Sequence, residues 1–341
     1  MKFKQVTVIG TECMGVSVAL GLKASKVGAR IVLHAPGATS EELAHARGLF
    51  DEIARSPIKA CQDADLVIVA EPLNRIESAF EIITSCLAPG CFVSDTAHLK
   101  VPVLHWASER LPKEIHFLGG HPIANPKVVG IDQPSAIFAA DPALLSGALY
   151  CFTAPDATSQ LAVDTFSELA SDLDAEPFFS TASEHDGFTS AVEDLPHLLA
   201  LALVRGTMTS PAWRDIRRFA GYRFAAGIEA AGSGDTAENT LSLLSNRENA
   251  VTRINAVLRE LVALRDILSK GDEDEIAGML VEADKLRSVW LARMNVGIWD
   301  EDKYPNLKNV PKAGDHALGR IFFGEGLMRR LNPGADRRRE S

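Results

Sequence analysis

The chain has 341 residues, of which 46% are hydrophobic and 23% charged, and a formal net charge of −10. That length suits two domains plus an appendage, and no uninterrupted apolar run approaches the roughly 20 residues needed to span a bilayer. The acidic balance disfavours nucleic acid, whose phosphates need clustered cations; the one dense cluster, Arg337-Arg338-Arg339, reads as a solvated end.

Cys13, Cys61, Cys86, Cys91 and Cys151 are odd in number and lack C-x-x-C spacing, which argues against a disulfide framework and a structural zinc site. No metal is expected. Met1–Gln5 leads straight into a strand-like run without the order of a secretory signal, so the expected compartment is the cytoplasm.

In chain order, β-branched apolar runs fall at Val6–Ile9, Arg30–Leu33, Leu66–Val69, Cys91–Val93, His116–Leu118 and Ala148–Phe152, with helical stretches between them. Strand and helix in alternation predict a parallel, doubly wound α/β sheet covered on both faces, over residues 1–154. From Ser159 the strand signals nearly vanish, apart from Pro177-Phe178-Phe179. Helical patterns take over at Ala182–Arg205, Thr236–Leu268 and Asp272–Arg293. Leu241, Leu244, Ile254, Leu258, Leu261 and Leu264 recur at helical spacing and need a surface to bury against. An all-α domain over 155–294 is expected, and an irregular extension over 295–341 that ends frayed.

Directly after the first strand comes Gly10-Thr11-Glu12-Cys13-Met14-Gly15, then a helical run Val16–Ser25. This is the place of a G-x-G-x-x-G dinucleotide fingerprint, in which the first glycine turns, the second admits the pyrophosphate and the third lets helix and strand pack. Glu12 replaces the second glycine, putting bulk and negative charge where an anion should approach. After the second strand, His34-Ala35-Pro36-Gly37 offers no acid for the ribose hydroxyls of NAD, which leans toward NADP, although no arginine is evident for its 2′-phosphate.

Further along come Ala64–Pro72, Ser94-Asp95-Thr96-Ala97-His98-Leu99-Lys100, Gly119-Gly120-His121-Pro122, His185-Asp186, Asp194-Leu195-Pro196-His197 and Asn246-Arg247-Glu248. In order and spacing the chain resembles the prephenate dehydrogenase family over about residues 3 to 270, most specifically at Gly-Gly-His-Pro. The resemblance implies a Rossmann-like N-terminal domain, an all-α dimerisation domain, a homodimer, and NADP- or NAD-dependent oxidative decarboxylation of prephenate or arogenate in tyrosine biosynthesis. It implies that His121 takes the substrate hydroxyl proton and that His197 binds substrate; beside them His98 is expected to assist catalysis and Arg223 to bind a substrate carboxylate. It places the cofactor against Gly10, Cys13, Met14, Gly15, His34, Ala70, Pro72, Asp95 and Thr96. An imidazole suits the proton step because its ordinary pKa is roughly 6.5.

The sequence departs from the family pattern at four functional places. Glu12 replaces a glycine, His98 stands where the family usually has serine, Asp194 where it has a second histidine, and Gly227 where an arginine is expected to bind a carboxylate. Arg217, Arg218 and Arg223 are the nearest substitutes for that bidentate donor, with Arg223 preferred. Three readings stay open: an active prephenate or arogenate dehydrogenase, a non-catalytic binding or regulatory descendant, and a dehydrogenase for another small hydroxy acid.

Overall fold

The computed structural model describes residues 3–25, 28–125, 136–155, 158–232 and 234–296. Most of the expected C-terminal extension, with Trp299, Tyr304 and the three arginines, lies outside them.

Eight strands make one sheet: β1 (Gln5–Ile9), β2 (Arg30–His34), β3 (Glu52–Ile53), β4 (Leu66–Val69), β5 (Phe92–Asp95), β6 (His116–Pro122), β7 (Leu149–Thr153) and β8 (Glu176–Ser180). Their order is β3-β2-β1-β4-β5-β6-β7-β8, so the chain reverses direction across the sheet between β1 and β4, which opens a crevice at their C-terminal ends. The two-residue strand β3 has too little pattern to be read from sequence.

Burial on both faces explains why β4 is apolar throughout. Leu66 and Ile68 enter one core with helix α1 (Cys13–Ala24), while Val67 and Val69 enter a second with α4 (Leu73–Thr84) and α5 (Val101–Arg110). Successive side chains of a strand point to opposite faces, so a strand between two helical layers buries every side chain, and in β4 all of them are apolar.

Two expectations are corrected. The sheet is not wholly parallel: β7 runs antiparallel to β6, with Gly119 opposite Thr153 and Pro122 opposite Tyr150. The described part of their connection holds only 3-10 turns, at Ala136–Ala139 and Pro142–Leu144, and a parallel return needs a crossover element. The α/β layer also does not stop at residue 154. Helix α6 (Gln160–Asp172) carries the chain over to β8, which pairs parallel with β7, so the sheet ends only at Ser180. The short run Pro177-Phe178-Phe179 is thus an edge strand of the same sheet.

Helices follow: α7 (Ala182–Thr189), α8 (Leu195–Met208), α9 (Trp213–Ile216), α10 (Tyr222–Ile228), α11 (Thr236–Ser245), α12 (Arg247–Lys270) and α13 (Glu273–Val296). The compact unit holding the sheet and the site ends at Lys285; the second unit, Leu286–Ser341, is described as helix as far as Val296. Between α7 and α8 the turn widens to a π-helix over Ser190–Asp194. Pro196 supplies the cause, because its ring nitrogen cannot donate to the carbonyl four residues back and its ring crowds that carbonyl.

The continuous stretch Ala182–Met208 reaches a mean hydropathy of 1.2 over an 18-residue window, enough by length and composition to cross a membrane. Within it, however, His185, Asp186 and Asp194 are buried and hydrogen-bonded to other parts of the protein. Only 22% of that window is buried in this chain, and Phe188, Val192, Leu199 and Leu203 remain exposed.

Candidate active site

The glycine loop closes against β4. Gly10 has φ +101°, and a Cβ there would lie 2.1 Å from the Ala70 carbonyl oxygen; one on Gly15 would lie 2.3 Å from the Ala70 Cβ. The first and third glycines are therefore required by packing alone. Glu12 donates its backbone N–H to Ala70 O at 3.0 Å. It precedes a helix whose first turn has no side-chain cap and no acidic residue. The amides of Cys13, Met14 and Gly15 thus form the helix N-terminus that an anionic diphosphate requires.

The Glu12 carboxyl is held up to about 7, first by desolvation and then by Glu238 and Glu71, with Arg75 opposing. Around neutral pH it is partly protonated. The loop thus fits a dinucleotide in its backbone, and in Glu12 once that carboxyl holds its proton.

At the end of β2, His34 is buried and gives Nδ1–H to the Ala54 carbonyl at 3.0 Å, which ties one ring nitrogen to the neighbouring loop. An arginine does stand nearby, contrary to the sequence reading. Arg75, in the first turn of α4, brings Nη1 to within 3.1 Å of the position a Cβ on Gly37 would occupy. Fifty-nine per cent of its side chain is exposed, and its nearest carboxylate, Glu71, is 3.9 Å away. Only the fold brings residues 37 and 75 together. Ala70 is buried beneath Gly10 and Gly15, and Pro72 caps α4.

Asp95 turns inward. Its carboxylate is paired with the Lys100 ammonium, both side chains fully buried, and accepts from the N–H groups of Ala97 (2.9 Å) and Gly120 (3.1 Å). Lys100 also donates to Gly120 O at 2.6 Å. Burial lowers the pKa of Lys100 while Asp95 raises it. The pair locks the Asp95–Lys100 loop to the Gly-Gly turn, and a Cβ on Gly120 would strike Ser94 Oγ at 2.6 Å. Asp95 thus shapes the crevice wall, and its carboxylate has no free side for a cofactor. Thr96 is half-buried beside it.

His121, at the end of β6, is 7% exposed. Its Nδ1 lies 2.9 Å from Nε2 of His185, and the Nδ1 of His185 lies 2.9 Å from Oδ1 of Asp186. Asp186 is fixed in turn by the N–H groups of Lys100 (2.7 Å) and Val101 (2.9 Å). Burial, then His185 and Lys100, holds the pKa of His121 well below its ordinary value, so its imidazole is neutral at physiological pH. Its other nitrogen, Nε2, lies 3.6 Å from Glu193 Oε1. Glu193 is pushed up to about 7 by desolvation and by Asp194. Asp194, the replacement for a family histidine, is buried but not alone, since Asn246 Nδ2 donates to it at 2.9 Å and to Asp186 O at 3.0 Å. Asn246, with φ −113° and ψ 20°, is also where the stretch expected as one helix, Thr236–Leu268, divides into α11 and α12.

Beside Glu193 lies a cavity of about 270 Å³ lined by His98, Asp194, His197, Glu238, Asn239 and Ser242 among others. His98 Nε2 lies 2.7 Å from Ser242 Oγ, so a hydroxyl from α11 accompanies the imidazole that replaces the family's serine. Desolvation is the main cause lowering the pKa of His98. His197 donates Nδ1–H to Ala230 O at 2.7 Å, which leaves Nε2 as an acceptor. Among the described residues, no arginine lines this cavity. Arg223 is exposed on α10, and Gly227 packs against Leu203, 3.0 Å from where its Cβ would be.

The fold therefore sets His98 and His197 on one cavity, with His121 at its edge through Glu193, and leaves Arg223 outside the lining. Sequence reading assigned no role to Glu193, His185, Asp186, Ser242 or Glu238; the first three are spaced along one helical stretch, but nothing in that spacing names their partners.

A doubly wound sheet with a glycine-turn crevice, and a buried histidine at the end of β6 held by a second on α7, defines a dinucleotide-linked oxidoreductase. Residues 18–177 match the prephenate dehydrogenase nucleotide-binding domain and 181–282 the prephenate dehydrogenase dimerization domain. The chain belongs to the prephenate dehydrogenase family.

It is 27% identical over 273 residues to the prephenate dehydrogenase of Bacillus subtilis, covering 80% of this chain and 72% of that one. Among solved structures it is similar to A. aeolicus prephenate dehydrogenase in complex with hydroxyphenyl propionate and NAD+, with TM-score 0.73, 23% identity, and 84% and 98% of the two chains covered. It is also similar to Synechocystis arogenate dehydrogenase, with TM-score 0.68, 21% identity, and 84% and 99% covered.

Proposed function

We propose that this enzyme carries out the oxidative decarboxylation of a cyclohexadienyl substrate, prephenate or arogenate, in tyrosine biosynthesis. The observation that carries the proposal is the buried, neutral imidazole of His121, whose Nε2 is directed to the cavity edge at Glu193. When bound, NAD(P) supplies the hydride acceptor. His121 Nε2 takes the proton of the ring hydroxyl as hydride leaves the same carbon, and it returns that proton to the phenolate oxygen once carbon dioxide has departed and the ring has aromatised. His98, with Ser242, lies on the same cavity and can donate to the developing carbonyl oxygen, and His197 offers Nε2 to the substrate.

The lining favours arogenate. Glu193, Asp194 and Glu238 are carboxyl groups and, among the described residues, no arginine faces them, so an α-ammonium finds partners where an α-keto acid finds like charge. Arg75 beside Gly37 favours NADP, because a guanidinium at the end of β2 suits a 2′-phosphate. The first turn of α1, with Gly10, Cys13, Met14 and Gly15, would hold the diphosphate. The exposed leucines of α12, Leu258 at 51% and Leu268 at 61% among them, support a homodimer through this face.

The test is turnover of arogenate and of prephenate with NADP and with NAD, followed by reduced nicotinamide and by the aromatic product. Faster turnover of arogenate with NADP is expected. Glu12 favours a second reading, a binding protein on an inherited fold. That reading requires that neither NADPH nor NADH bind up to millimolar concentration at pH 6, where Glu12 is mostly neutral.

A further inference from the structure

Asp186, His185 and His121 form a chain of hydrogen bonds, and none of its steps is supplied by the substrate. The chemistry of the end group fixes the direction of each. A carboxylate only accepts, so the hydrogen on the 2.9 Å contact between His185 and Asp186 belongs to His185 Nδ1. Two backbone N–H groups, from Lys100 and Val101, donate to the same carboxylate, which fixes its orientation. With Nδ1 protonated, Nε2 of a neutral His185 is an acceptor. The hydrogen on the 2.9 Å contact between the two rings then belongs to His121 Nδ1. The lone pair of His121 is left on Nε2, the nitrogen facing Glu193 and the cavity.

We infer that His185 and Asp186 are positioning residues that hold His121 in the Nδ1–H tautomer, so that Nε2 is free to take a proton from the substrate. This rests on the assignment of His121 as the base. Neither residue needs to touch substrate. Once His121 is protonated, its charge is shared through His185 toward the Asp186 carboxylate, in a site where the Lys100 ammonium opposes it. The arrangement has the logic of a histidine held by a buried carboxylate, with a second imidazole inserted between them.

The sequence contains both residues as the adjacent pair His185-Asp186. Adjacency alone does not reveal the relay, because the third member is 64 residues away on β6.

The test uses the full-length enzyme with His185→Phe and His185→Gln. Phenylalanine removes the acceptor, whereas the glutamine amide oxygen can still accept from His121 Nδ1. His185→Phe should lower kcat by about 10²- to 10⁴-fold, as loss of a base's correct tautomer does, with KM changed less than about threefold. His185→Gln should recover most of that loss. Nitrogen-15 NMR of histidine-labelled wild-type protein should show His121 protonated at Nδ1. An Nε2–H tautomer in the wild type overturns the inference even if His185→Phe fails to fold. So does a His185→Phe enzyme that keeps wild-type kcat. Absence of dehydrogenase activity in the wild type would instead defeat the assignment of His121 as base, while the tautomer remains measurable.

Discussion

Glu193 Oε1 stands 3.6 Å from Nε2 of His121, the atom through which the base would act, and 41% of the Glu193 side chain is exposed toward the cavity side. Its carboxyl is held up to about 7, so near neutrality it exchanges between neutral and charged forms. As an anion it would steady an imidazolium on His121 or an ammonium on the substrate; as an acid it does neither.

Replacing it separates the two substrates. Glu193→Gln should raise KM for arogenate about tenfold, the value of one pKa-unit-sized interaction of roughly 1.4 kcal/mol, while KM for prephenate stays level or falls. Steady-state kinetics with both substrates measures this, and equal effects on the two would remove Glu193 from substrate discrimination.

Glu12 makes cofactor affinity depend on pH. Its carboxyl is raised from 4.5 to about 7 in the folded protein. Above that value it is an anion beside the diphosphate and below it is neutral, so NADPH should bind more tightly at pH 6 than at pH 8. The limiting slope is about tenfold per pH unit for one coupled proton. Calorimetric titration of the wild type and of Glu12→Gly should show the dependence flattened in the variant.

The same shift has a consequence for stability. A carboxyl whose folded pKa is raised costs nothing while both states are protonated, and destabilises the fold as pH rises from the unfolded value through about 7. Glu12→Gln should therefore raise Tm at pH 8 and leave it nearly unchanged at pH 4.5; equal gains at both values would show that ionisation of Glu12 is not the cause.

Arg75→Ala should weaken NADPH by roughly 10- to 100-fold, the loss of a charge-assisted contact of about 1.5–3 kcal/mol, and leave NADH within about twofold. Fluorescence titration with each nucleotide decides it. Equal loss for both would assign Arg75 to the fold or to the diphosphate.

Asn246 donates to both Asp186 O and the buried Asp194 carboxylate. Asn246→Ala leaves the buried Asp194 carboxyl without this donor and should cost about 1–3 kcal/mol in urea unfolding. Adding Asp194→Leu removes the acceptor that has lost its donor and should recover part of that loss.

Much of the α/β layer was legible because its signals are local. Apolar runs such as Leu66–Val69 follow from burial on two faces, and the glycines at 10 and 15 stand where a strand must turn into a helix. Read without the fold, β8 looked like a stray apolar run, since an edge strand with Phe178 and Phe179 each 40% exposed carries a weak pattern. The antiparallel turn of β7 was also hidden, because direction within a sheet depends on the connection, not on the strand's own residues.

For the site, the sequence by itself determined the family pattern and the histidines at 98, 121 and 197, since these stand in short motifs whose spacing is fixed along the chain. Only the tertiary structure decided their partners. Arg75 meets Gly37, Ser242 meets His98 and His185 meets His121 across separations of 38, 144 and 64 residues. Arg223, adjacent to the expected position in sequence, stays on an exposed helix outside the cavity. Hydrogen bonds and ion pairs act over a few ångströms of space, and packing of the helices onto the sheet, rather than distance along the chain, sets which groups come that close.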